Sequence, residues 1–74
     1  MNKTLFEKSY DYLVKCDCTI WEEKDKQTDP INYPKQFGNY KYIVIMDGDT
    51  QPILATNYKK DVIKLAKDLK KELN

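Results

Sequence analysis

Apolar positions in the last third of the chain recur at helical spacing. Tyr58, Val62, Leu65, Ala66, Leu69 and Leu73 recur at spacings of three and four, Leu65 and Ala66 sharing one turn, while Lys59, Lys60, Lys64, Lys67, Lys70 and Lys71 fill the other side. The spacing predicts one amphipathic helix over about 58–73. Asn57 stands before it as an N-cap, and Asp61 near its start with Lys70 and Lys71 near its end suits the helix dipole. Upstream, 40–56 is rich in Tyr, Ile and Val and is interrupted once by Asp47-Gly48, the dipeptide of a tight two-residue hairpin. Two antiparallel strands are expected, at about 40–46 and 50–56. Pro52 has no amide hydrogen, which moves the second of them to a sheet edge.

The region 10–21 carries two periods at once. Tyr10, Tyr12, Val14, Cys16, Cys18 and Ile20 alternate with Asp11, Leu13, Lys15, Asp17, Thr19 and Trp21, a strand pattern. Leu5, Phe6, Tyr10, Leu13 and Val14 instead follow helical spacing, and Thr4 with Glu7 three residues on matches a capping box. The two resolve as a short helix over about 4–10 and a strand over about 13–23. The segment 24–39 has no period and contains Pro30, Pro34 and Gly38, so it reads as a long loop, with Ile31, Tyr33 and Phe37 apolar enough to fold back onto the body.

The expected fold is α+β: a three-stranded antiparallel β-meander with the C-terminal helix packed on one face and a short N-terminal helix, in the order αβββα. The middle strand has Tyr40, Tyr42, Val44 and Met46 on one face and Lys41, Ile43 and Ile45 on the other, so both faces carry large apolar groups and need cover. The candidates are the N-terminal helix, the 33–37 part of the loop, a second copy or a partner.

Length sets the scale. Seventy-four residues form a single small domain that buries roughly 60% of its unfolded surface. The longest apolar run, 42–46, is far below the roughly 20 residues of a membrane-spanning helix. The first six residues lack the apolar stretch of a secretory signal, so the expected compartment is the cytoplasm. Cys16 and Cys18 are then expected as free thiols. The basic residues are all lysine, 13 of them, and Asn, Asp, Ile and Tyr are plentiful, an association with AT-rich genomes such as those of low-GC bacteria and their phages.

The chemistry is sparse. There is no His, Ser9 is the one serine, and the cysteines have only Lys15 as a cationic neighbour in sequence, so no catalytic residue is assigned and no enzyme is expected. Cys-x-Cys without His does not close a zinc site, Asp47-Gly48-Asp49 does not match a calcium loop, and two glycines make no phosphate loop. No metal and no cofactor is expected.

Charge is segregated beneath a net +1: residues 57–74 hold six lysines and three acids, and residues 1–56 hold seven lysines and nine acids. On the basic helix, Lys59, Lys60, Lys64, Lys67 and Lys71 are the candidate phosphate contacts. The run from Asp47-Gly48 through Thr56 to Lys59-Lys60, followed by Val62 and Ala66, resembles the last half of a double-stranded RNA-binding domain. In that family a lysine pair at the start of the last helix meets phosphates across a groove, which would make nucleic acid the partner.

Aromatic and acidic residues cluster around the long loop. Trp21, Glu22, Glu23, Asp25, Asp29, Tyr33 and Phe37 are the candidate partner-binding residues, since Trp and Tyr commonly anchor protein interfaces. The leading expectation is a small non-enzymatic module, monomer or homodimer, that covers a surface of a larger protein. If the AT-rich composition signals a phage or mobile element, the natural role is an inhibitor of a host or defence protein, its carboxylates mimicking phosphates.

Overall fold

A computed structural model describes residues 2–73, the side chain of Leu73 excepted. The order is helix α1 (Leu5–Lys15), strand β1 (Cys18–Glu22), a single helical turn α2 (Asp25–Thr28), a 3₁₀ turn (Lys35–Phe37), strand β2 (Tyr42–Met46), strand β3 (Leu54–Thr56) and helix α3 (Lys59–Leu73). The three strands form an antiparallel sheet with β2 in the centre, the expected meander. Ile20 lies opposite Val44 and Trp21 opposite Ile43 on one side, and Leu54 lies opposite Val44 on the other.

Helix α1 runs longer than the expected 4–10, and β1 starts at Cys18, later than the expected 13. The capping box forms: Thr4 Oγ1 accepts from Glu7 N at 3.1 Å and Glu7 Oε1 accepts from Thr4 N at 3.0 Å. From that start the helix continues to Lys15, which buries Leu13 and packs Phe6, Tyr10 and Tyr12 against the core while Leu5 and Val14 stay exposed. Asp17 then ends it in a left-handed conformation (φ 63°), a conformation Asp tolerates because its short polar side chain can bond locally. The alternation over 10–17 was therefore a coincidence of two periods.

Three further expectations change. The strand foreseen over 50–56 shortens to Leu54–Thr56. Asp47-Gly48 does form a turn, with Asp49 N donating to Met46 O at 3.0 Å and Gly48 at φ 90°, but it is not a two-residue hairpin. Ile53 N donates to Val44 O at 2.8 Å although Leu54 is the residue paired with Val44, a bulge-like doubling at the start of β3, and residues 47–53 connect the strands. Asn57 does not cap α3: its Oδ1 accepts from Lys41 N at 3.0 Å. Thr56 holds the helix start instead, accepting from Tyr58 N at 3.1 Å and donating to Asp61.

Both long helices lie on the sheet face that carries Ile20 and Val44, where Leu13, Cys18, Val62 and Ala66 complete the buried cluster. Leu65 and Leu69 pack against it. The Leu73 side chain, the last position of the predicted stripe, lies outside the described residues. Lys59 Nζ sits 5.1 Å from the Phe6 ring and Lys70 Nζ 4.9 Å from the Tyr12 ring, so α1 and α3 run in the same direction. Leu13, Val44, Val62 and Ile43 are fully buried, each contributing roughly 1.5–3 kcal/mol.

Ile43 belongs to the opposite face, with Thr19, Trp21, Ile45 and Ala55. The segment 24–39 covers part of it. It is not the structureless loop expected from its composition, because short side chains fold it locally. Asp25 accepts from Glu22 N at 2.9 Å and from Thr28 Oγ1 at 3.1 Å. Asp29 accepts from both the backbone and the side chain of Asn32. Lys26 Nζ donates to Gly38 O at 2.8 Å across the segment. These contacts seat Tyr33, 5% exposed, edge-on to Trp21 with ring centroids 6.0 Å apart.

Candidate functional site

Extending α1 to Lys15 puts two pairs at i, i+4 spacing on neighbouring stripes: Phe6 with Tyr10, and Glu7 with Asp11. The Phe6 ring lies 6.4 Å from Tyr10 and 5.4 Å from Tyr42 at the start of β2. Tyr42 is the cross-strand partner of Glu22, which ends β1 on the helix-covered face. Phe6, Glu7, Tyr10, Asp11 and Glu22, with Lys3 at one end, therefore line a groove of about 250 Å³. Beyond Glu22 a second hollow of about 210 Å³ continues between Glu23, Lys24, Lys41 and Tyr42. The result is an aromatic wall set among carboxylates.

Its electrostatics follow from the geometry. Burial, then the Glu22, Asp25 and Asp11 carboxylates, raise the Tyr10 phenol above its ordinary pKa. Lys3 Nζ donates to Asp11, and that bond holds the ammonium charged to higher pH. Lys24 Nζ stands 3.8 Å from Glu22. Lys3 and Lys24 are thus drawn to the wall's carboxylates, and Lys59 lies over its Phe6 ring. The Glu7 carboxyl is held below the ordinary carboxylate range by the Thr4 amide and then the Thr4 hydroxyl, so it stays ionised.

The residues singled out from the sequence divide between two places. Glu22, half-buried, and Glu23, exposed, stand at the wall. Trp21 and Tyr33 pack together on the opposite sheet face, and the buried Tyr33 hydroxyl has no hydrogen-bond partner among the described residues. Burial, then Glu23 and Asp25, push that phenol's pKa up. Asp25 and Asp29 are occupied in building the covering segment, and Phe37 is half-buried in its 3₁₀ turn. Phe6, Glu7, Tyr10 and Asp11 were not among the candidates from sequence. The signal that finds them is the i, i+4 spacing of the two pairs, once the capping box is allowed to govern a full helix.

On α3, Lys59, Lys60, Lys64, Lys67 and Lys71 are all exposed. Lys59 leans over Phe6, Lys60 lies 5.4 Å from the Tyr58 ring, and Lys64 pairs with Asp68 at 3.1 Å. Cys16 caps α1 and Cys18 opens β1, both as free thiols, with burial raising the pKa of Cys18. Among the described residues no three His, Cys, Asp or Glu side chains converge as metal ligands, and no helix is long and apolar enough to cross a membrane. Compared with known protein families, curated proteins and solved structures, the chain matches none.

Proposed function

We propose that the protein is a non-enzymatic binding module that docks onto a larger protein through the acidic aromatic wall between α1 and the end of β1. The observation that supports this reading is the packing of the Phe6 ring against Tyr10 and Tyr42, edge-on and tilted, among the carboxylates of Glu7, Asp11 and Glu22. Aromatic anchors supply contact area at low entropic cost, and the flanking carboxylates select a basic surface. A protein that handles nucleic acid presents such a surface, so an inhibitor that covers a phosphate-binding site of a host or defence protein is the role we favour.

The test uses the full chain as bait, beside a Glu7→Gln/Glu22→Gln/Glu23→Gln variant. Gln at position 7 preserves the capping box, and surface changes of this kind stay within about 0.5 kcal/mol in stability. A partner held by the wild type and released by the variant, at an unchanged melting temperature, is the expected result. Equal retention by both rejects the wall.

A second reading is nucleic-acid binding through α3. It is favoured by the exposed Lys59 and Lys60 on the first turn of the last helix, within the element order that the resemblance to a double-stranded RNA-binding domain implies. Against it, the chain lacks that family's glycines before the lysine pair and carries the acidic wall. Titration with duplex RNA and DNA separates the two. Affinity falling with salt at a slope of roughly −0.9 per duplex-DNA phosphate contact would move the function to α3.

A further inference from the structure

The sheet face carrying Trp21 is only partly closed by segment 24–39. Next to the Trp21–Tyr33 contact, a groove of about 220 Å³ stays open, with Trp21, Pro34 and Ile45 along it and the turn residues Met46, Asp47 and Asp49 at its edge. Thr19 Oγ1 donates to Asp47 Oδ1 at 2.9 Å, which fixes that carboxylate at the edge. Asp47 N donates to Asp17 O at 2.8 Å, bringing a third acidic residue alongside. The four other hollows described on the molecule each include at least one lysine, in a chain where lysine is the only cationic side chain. This groove includes none.

We infer that this groove receives a short segment of a partner protein in which a large apolar side chain lies beside a lysine or arginine. Trp21 and Ile45 provide the apolar surface, and carboxylates with no lysine among them provide an attraction that only a cation from outside the groove satisfies. The same charge repels phosphate, so nucleic acid is excluded as its occupant. The inference rests on the reading of the protein as a binding module but uses residues separate from the wall.

The experiment is selection of displayed random peptides on the immobilised full chain, followed by titration of the synthetic peptides into three proteins. These are the wild type, Asp47→Asn/Asp49→Asn and Glu22→Gln/Glu23→Gln; Asn at 47 keeps an acceptor for Thr19. The expected peptides carry Lys or Arg within two residues of a large apolar residue. Their affinity falls about tenfold in the Asp47/Asp49 variant, about 1.4 kcal/mol, and is unchanged in the Glu22/Glu23 variant. Ile45→Lys abolishes binding. The inference is overturned if no peptide is selected, if the peptides lack a cation, or if the groove variants bind normally. It is also overturned if light scattering shows a dimer that Ile45→Lys dissociates, since a second copy then fills the groove. Peptides weakened only by the Glu22/Glu23 change would support the wall and reject the groove.

Discussion

The two faces of the sheet are closed by different means. One is covered by two helices whose apolar stripes come from continuous periodic sequence, and its core of Leu13, Ile20, Val44, Val62 and Ala66 is aliphatic. The other is covered by a segment without periodicity, folded through Asp25, Asp29 and Lys26, which delivers one large side chain, Tyr33, against Trp21. The helical cover leaves no buried side-chain polar atom unpartnered among the described residues. The other cover leaves the Tyr33 hydroxyl unpartnered among those residues and a groove of about 220 Å³ open beside Trp21 and Ile45. A periodic stripe buries a continuous aliphatic centre and leaves hollows only beside it, at Glu22 and at Leu54, whereas turn chemistry buries only what its few anchored side chains reach.

That contrast can be broken most severely at Leu13. Leu13→Ala is expected to cost about 2–5 kcal/mol in urea unfolding, a large share of the stability of so small a domain. Ile43→Ala is expected at the lower end of that range, because the partly open face lets its surroundings relax. An equal loss at both positions would mean that the two faces are packed equally well.

A smaller effect is expected at Asp25. Removing its carboxylate frees the Glu22 amide and the Thr28 hydroxyl, so Asp25→Ala should cost about 1 kcal/mol. Hydrogen exchange should speed up over 24–39 while α1 and α3 keep their protection. Uniform acceleration would show that the segment and the helices unfold together.

Smaller again is Tyr33→Phe. A buried hydroxyl without a partner loses its solvation on folding, so its removal should be neutral or stabilise by up to about 1 kcal/mol by thermal melting. A loss of stability would reveal a partner for the hydroxyl in solution.

The smallest effect is acid titration at the wall. The folded Glu7 pKa is depressed, so its contribution is present above the unfolded value of about 4.3 and is lost as pH falls through the folded value. Carboxylate NMR should place the Glu7 midpoint below the ordinary range in wild type and return it toward that range in Thr4→Ala.

Much of this fold was legible in the sequence where one period dominates: α3, the central strand with its two apolar faces, and the antiparallel order. The boundary of α1 was not, because 10–17 satisfies both periods and only burial of Leu13 against α3 decides between them. The order over 24–39 is invisible to hydrophobic periodicity, because it comes from Asp carboxylates accepting from backbone amides three residues away, Asp25 from Glu22 N and Asp29 from Asn32 N. The wall is half legible in the sequence, and the boundary of α1 hides the rest. Glu22 and Glu23 were visible as an acidic run, but Glu7, Tyr10 and Asp11 join them only when α1 is a full helix. Tyr33 and Trp21, grouped with them by sequence, belong to the opposite face.

The shared direction of α1 and α3 also has a topological consequence. Lys59 is level with Phe6, so the start of α1 and the end of α3 lie about 21 Å apart along the helix axes, at opposite poles of the domain. Circular permutation joining them would need a linker of at least about seven extended residues. Tandem copies joined directly would string out end to end, all presenting the wall at the same pole of each unit.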